Sequence, residues 1–329
     1  MEIRLLLTTT KIHIFLQSAL LFLKKESKGE VFWRRSGPER KKIVKFALVK
    51  HILLIVVVAI TLFGCSGSGG EKPTVTVSLP PQKFILERIV GDAYDVRSLV
   101  VSGGDAENYD PSFTNLMSVR KSAAYMTMGN IGFEQAVVDK IRQENPELPV
   151  YDSSRGINFI RGTHGNEYDV DPHTWSSVAN VRVMAANMEA DMERIDPGRA
   201  PKFRANLKRF TATLDSLDAD YRRRLEPLRG SSFLVWHPSL SYFARDYGLH
   251  QIALGGAEHK EVSIPALREA IEEARGSGAS VFFVQRDIDS RQAESANERI
   301  GARRIEFVPL DYDWMAQMDI VVNALTAKQ

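Results

Sequence analysis

From Thr74 onward the chain alternates short apolar, β-branched runs with longer stretches whose apolar residues fall three and four apart. The runs Thr74–Leu79, Tyr94–Val101, Ala124–Met128 and Pro149–Asp152 have strand character, and the first three are each stopped by Pro or Gly. Between them, Phe84–Val90, the stretch after Ser112 and Phe133–Gln143 carry helical spacing. Alternation of this kind predicts a parallel α/β unit. A polar loop over 153–170 leads to a helix, Val178–Arg194, with Ser176-Ser177 placed to cap it and Asp196-Pro197 ending it. Pro201 then opens a second helix, tolerated in the first turn. Its apolar residues Phe203, Leu207, Phe210, Leu214, Leu217, Tyr221 and Leu225 recur at steps of three and four. At 1.5 Å per residue this is a rod of about 37 Å, apolar on one side and charged on the other.

After Gly230 the alternation restarts. Strands are predicted over Ser232–Trp236, Gln251–Leu254, Ser280–Val284 and Arg304–Val308, with helices near Tyr242–Ala244 and over Ile264–Arg275, Arg291–Ile300 and Trp314–Ala324. The expected architecture is α/β: two similar lobes with parallel sheets, residues 73–197 and 230–329, joined by a long spine helix within 198–229.

The first 64 residues follow another pattern. Lys50-His51 precedes an apolar run from Ile52 to Phe63, then Gly64-Cys65 and the small, polar Ser66-Gly67-Ser68-Gly69-Gly70. A basic start, about a dozen apolar residues and a small residue before the cut describe an export signal, too short to span a bilayer. Leu62-Phe63-Gly64-Cys65 resembles the lipobox of bacterial lipoproteins, which implies lipidation of Cys65, with residues 65–72 as a flexible tether. Residues 1–48 make a long preamble without a methionine after Met1, so the expected translation start is near Val49.

Charge sharpens the division. The formal net charge of +2 conceals twelve Lys/Arg against four acids in residues 1–64, a local +8 that leaves −6 on residues 65–329. A mildly acidic body lacks the basic face that a nucleic acid requires. Cys65 is the only cysteine, which excludes an intrachain disulfide framework and any multi-cysteine metal site.

Candidate chemistry centres on Asp171-Pro172-His173-Thr174-Trp175, where Pro172 stiffens the backbone just before an imidazole. Histidine is the commonest protein metal ligand. Three more metal-competent side chains stand in loops after strands: Glu107, His237 directly after Phe233–Trp236, and Asp311 after Pro309-Leu310. Singly, each is as much a turn or surface residue as a ligand. Ligands of open α/β sheets bind beyond the carboxyl ends of the strands, and two of the four residues come from each lobe. A cleft between the lobes lets all four converge, and two imidazoles with two carboxylates fill the shell of a first-row dication.

These motifs resemble the metal-binding lipoproteins that serve ABC importers of zinc and manganese, the solute-binding protein family 9 (cluster A-I). The likeness covers residues 73–329. It rests on Asp171-Pro172-His173-Thr174-Trp175, on Trp236-His237 with Tyr242-Phe243 and Tyr247-Gly248-Leu249, on Gly104 to Pro111, and on Leu310-Asp311. The resemblance implies an extracytoplasmic, lipid-anchored, monomeric binding protein without enzymatic activity. It implies a site of Glu107, His173, His237 and Asp311 between the lobes, with an ABC permease as partner.

Two departures bear on the metal. Glu107 stands where the family usually has a histidine, which hardens the site toward Mn²⁺ or Fe²⁺. The long His-rich loop of zinc-type members is reduced here to His164. Zn²⁺ remains the expected cargo on family frequency, with Mn²⁺ or Fe²⁺ as alternatives. Gln285 stands where the family commonly has an acid, an expected neighbour of the site rather than a ligand. The competing readings are a secreted zinc metallohydrolase, with Asp171 or Asp110 as base, and a surface adhesin with an incidental metal.

Overall fold

The computed structural model describes residues 72–104, 106, 109–161, 170–255, 262–285 and 291–327. The predicted signal, the start near Val49, the lipidation site Cys65, and both Glu107 and His164 lie outside these residues. The first sheet takes β1 (Thr74–Val77), β2 (Asp95–Ser98), β3 (Ala124–Thr127) and β4 (Val150–Asp152) in the order β2-β1-β3-β4. The second takes β5 (Ser232–Val235), β6 (His250–Ala253), β7 (Val281–Gln285) and β8 (Arg303–Phe307) in the order β6-β5-β7-β8. Every pairing is parallel. The two lobes are therefore α/β units of one topology, as the alternating pattern predicts. In each, strand order reverses beside the first strand, where an open parallel sheet leaves a crevice at its carboxyl edge.

The helices are α1 (Pro80–Val90), α2 (Phe113–Arg120), α3 (Gly132–Glu144), α4 (Val178–Ile195), α5 (Ala200–Leu225), α6 (Ser241–Tyr247), α7 (Ile264–Ser277), α8 (Arg291–Ile300) and α9 (Trp314–Thr326). The proline pair that marks the end of β1 in the sequence also opens α1, because proline is pre-set for the first helical turn and has no N–H to leave unsatisfied. Gln82 completes that start: its Oε1 accepts the Leu79 N–H at 2.9 Å, and its Nε2 donates to Ser153 Oγ at 3.1 Å, pinning the ends of β1 and β4 together. Ser177 caps α4 by accepting the Asn180 N–H at 3.0 Å.

The spine α5 has 26 residues, a length of about 39 Å. Phe203, Phe210, Leu214, Tyr221 and Leu225 are buried along its apolar stripe. It is fastened to both lobes, by Asn206 Nδ2 to Ile89 O at 2.7 Å and by Tyr221 OH to Asp319 at 2.6 Å.

Residues 72–329 form one compact unit, and the reason is a shared core. On β5 and β7, Phe233, Val235, Val281 and Phe283 join the apolar cluster that also contains Val75, Phe84, Met126 and Phe210 of the first lobe and spine. The alternate residues Leu234, Trp236, Phe282 and Val284 face a separate cluster under α7 and α8. Phe84 marks the junction, edge-on to Phe210 at 6.3 Å and to Tyr312 at 5.8 Å, and tilted on Trp314 at 6.2 Å. No helix among the described residues is long and apolar enough to cross a membrane.

Since Phe84 is buried where the lobes and spine meet, Phe84→Ala should cost about 3–5 kcal/mol in denaturant unfolding of the metal-free protein. The transition should stay single for both proteins. Two separated transitions in the wild type would contradict a shared core.

Candidate metal centre

His237 leaves the carboxyl end of β5, a central strand, at the crevice of the second sheet. The backbone there is held tightly: Gly255 N donates to Trp236 O at 2.8 Å, and a Cβ on Gly255 would lie 2.6 Å from that oxygen. Only glycine allows the end of β6 this close to the residue before His237. His173 reaches the same place from a loop well beyond β4 rather than from a strand end. Its turn is built by its own neighbours. Thr174 N donates to Pro172 O at 2.8 Å, Ser176 N to His173 O at 3.0 Å, and His173 N to Asp171 Oδ1 at 2.9 Å.

The two imidazoles face each other. Nε2 of His237 lies 3.0 Å from Nε2 of His173, with the rings inclined at 73° and both side chains buried. Trp175 lies edge-on to the His173 ring at 5.2 Å.

Asp171 sets the chemistry of the pair. Its Oδ1 lies 2.8 Å from His173 Nδ1, and the residue is fully buried. Burial alone would raise its pKa, but the charge of the imidazole and hydrogen bonds from its ring and backbone outweigh that and hold the carboxyl below the usual range. Asp171 is therefore a carboxylate and can only accept. The proton between them therefore sits on Nδ1 of His173, and its Nε2 is the ring atom turned toward His237. Zinc–imidazole bonds of 2.0–2.1 Å at a tetrahedral angle put two nitrogens about 3.3 Å apart, a few tenths of an ångström beyond the observed spacing. The pair fits a first-row dication after a small outward movement.

Of the other two expected ligands, Glu107 lies outside the described residues and Asp311 is described. Asp311 is half-exposed; its Oδ2 accepts from Ser102 Oγ of the first lobe at 3.2 Å, and its Oδ1 from Asp313 N at 2.7 Å. Trp175 Nε1 donates to Pro309 O at 3.0 Å, so the loop carrying Asp311 is tied to the turn carrying His173. Trp314 Nε1 donates back to Trp175 O at 2.7 Å. Among the described residues no three His, Cys, Asp or Glu side chains gather as a metal-holding group. Gln285 ends β7, half-buried.

Sequence reasoning left the orienting groups unassigned. Asp171 stands in it only as a possible base, although a carboxylate two residues before a histidine is a readable signal for ring orientation. Tyr242 of α6 also belongs here: its hydroxyl donates to Asp171 O at 2.7 Å. Burial pushes that phenol up to about 12, so it remains a donor.

Residues 75–327 match the sequence profile of the family described as zinc-uptake complex component A, periplasmic (ZnuA). The chain belongs to this family. Among its relatives, the high-affinity zinc uptake system protein ZnuA of Bacillus subtilis (strain 168) is 23% identical over 253 residues, 73% of this chain and 79% of that protein. The zinc-binding protein AdcA of Streptococcus pyogenes serotype M3 is 22% identical over 264 residues, 74% of this chain. The chain spans only about half of that streptococcal protein, 51% of its length. A crystal structure of ZnuA is 31% identical and superposes with a TM-score of 0.72, over 78% of this chain and 98% of the other. These matches agree with the two-lobed α/β architecture.

One buried acid supports this end of the first sheet. Glu134 accepts the N–H groups of Met128 and Gly129 at 2.6 and 2.8 Å, and Met128 Sδ receives the Thr174 hydroxyl at 3.3 Å beside His173. Burial outweighs those hydrogen bonds and raises the Glu134 carboxyl from 4.5 to about 7. A raised acid favours the fold when protonated, so its contribution is full below pH 4.5 and is lost as pH rises through about 7. Comparing Glu134→Gln with wild type in metal-free unfolding, the gap should move by roughly 3 kcal/mol in favour of the variant between pH 4.5 and 8. A pH-independent gap would contradict the shift.

Proposed function

We propose that this protein is an extracytoplasmic solute-binding protein that captures one divalent transition-metal ion, Zn²⁺ in preference, and delivers it to an ABC permease. The observation that carries the reading is the buried imidazole pair, Nε2 to Nε2 at 3.0 Å, with the Asp171 carboxylate fixing the His173 tautomer. Two nitrogen ligands drawn one from each lobe hold an ion between the lobes, and Asp311 and Glu107 complete the shell as carboxylates. The Trp175 tie to Pro309 supports Asp311, because it keeps that loop beside His173. Mn²⁺ or Fe²⁺ is the alternative cargo if Glu107 sets the preference. The membership of a zinc-uptake family and the zinc-named relatives support zinc.

Capture needs little closure. The lobes share one apolar core, so metal exchange falls to the loops that bear Glu107 and Asp311. A metallohydrolase would need a carboxylate free to act as base beside the metal; Asp171 is committed to His173. Lipidation at Cys65 would hold the protein at the membrane beside its permease, with the body acting as a monomer.

Protein purified without chelator should carry one equivalent of a single dication, and the paired substitutions His173→Ala and His237→Ala should abolish it. No bound metal, and no thermal shift with Zn²⁺ or Mn²⁺, would overturn the proposal. Glu107→His should raise zinc affinity relative to manganese by about tenfold or more in competition titrations, since imidazole is the softer donor. An unchanged preference would remove Glu107 from the ligand set.

A further inference from the structure

The hydroxyl of Tyr242 is the corner of a knot that joins the two halves of the site. It accepts the Ile160 N–H at 3.3 Å and donates to Asp171 O at 2.7 Å, while Asp171 N donates to Ile160 O at 2.9 Å. Ile160 and Asp171 flank the antiparallel bridge between Arg161 and Val170, where the long polar loop closes. Tyr242 therefore touches both chains at the base of that loop. The same Asp171 holds His173 through its ring Nδ1 and its backbone N–H. On the other side, Tyr242 lies on α6, which begins just past His237 in the same strand-to-helix connection. Both ends of the imidazole pair are thus referred to one phenol. Its ring is fully buried, and the Arg245 guanidinium lies 5.0 Å from its centroid.

We propose that Tyr242 is a positioning residue for metal capture, its hydroxyl fixing the Asp171–His173 unit of one lobe at bonding distance from His237 of the other. Its action runs through Asp171, and no contact with the ion is required. Without the hydroxyl, the base of the loop and the Asp171 carbonyl lose their shared partner, and the His173 ring can drift relative to His237. Ligation by two imidazoles is sensitive to drift of this size, because metal–nitrogen distances tolerate only about ±0.2 Å.

The inference rests on the metal-binding reading of the His173–His237 pair, and the test separates the two. Zinc affinity is measured by competition with a chromophoric chelator for wild type, Tyr242→Phe, Asp171→Asn and the double variant, alongside zinc-free melting temperatures. Tyr242→Phe should weaken zinc binding by about tenfold, the low end of the range for partners that orient a metal-bound histidine. In the Asp171→Asn background it should add less than about twofold, because the hydroxyl acts through Asp171. A lower zinc-free melting temperature with zinc affinity unchanged would show a purely structural hydroxyl and overturn the proposal, as would full additivity with Asp171→Asn. Should Tyr242→Phe fail to fold, 4-aminophenylalanine at this position keeps the ring and a donor. That variant should bind zinc within about threefold of wild type. A tenfold loss there would overturn the proposal equally. If wild type itself binds no zinc, the metal-binding reading fails first, and the Tyr242 inference falls with it.

Discussion

The approach of two imidazoles across the junction of two lobes is the constraint on which the rest of the structure depends. Nε2 atoms 3.0 Å apart, buried, cannot be held by the rings alone, because each sits on a loop. Their spacing is inherited from what those loops are fastened to. His237 inherits its place from β5, a central strand whose carboxyl end, at Trp236, is held close to the end of β6 by a glycine contact. His173 inherits its place from Asp171, which in turn is tied to Ile160 and to Tyr242 of the other lobe. The tryptophans Trp175 and Trp314 lock the same turn to the loop of Pro309 and to the start of α9.

A shared apolar core makes this arrangement permanent. Sandwich-like burial on both faces of a parallel sheet requires cover on each side. In the second lobe, one side is covered by α7 and α8, and the other belongs to a cluster continuous with the first lobe. Opening the lobes like a hinge would expose Phe84, Phe210 and Trp314, which meet at the junction. Local movement of the loop that carries Asp311 costs far less. Asp311 illustrates the point, since its carboxylate is bound to Ser102 and to the Asp313 N–H, bonds that a metal ion can replace.

Much of this was legible in the sequence. Period-two and period-3.6 patterns predict, in order, the eight strands and nine helices found among the described residues, because buried parallel strands and amphipathic helices write their burial directly into residue type. Boundaries were less legible. Pro80-Pro81 reads as a stop for β1, yet it also starts α1, since the same fixed backbone angle serves both. Of the site, His173 and His237 were readable from their turns and neighbours. The orienting residues went unassigned. Asp171 stands two residues before His173, a local signal for ring orientation, but Tyr242 matters through a hydrogen bond between segments 71 residues apart, which no local pattern encodes. Asp311 follows a strand as expected, but its partner Ser102 lies 209 residues away. Such pairings are properties of the folded topology.

The central claim is that His173 and His237 share one ion between the lobes. X-ray absorption of the zinc-loaded protein tests it most directly. The account predicts a single zinc environment with two imidazoles at about 2.0–2.1 Å and carboxylate oxygens in the remaining positions. Imidazole scattering should fall by half in His237→Ala. A shell without imidazole, or one unchanged in that variant, would contradict the account.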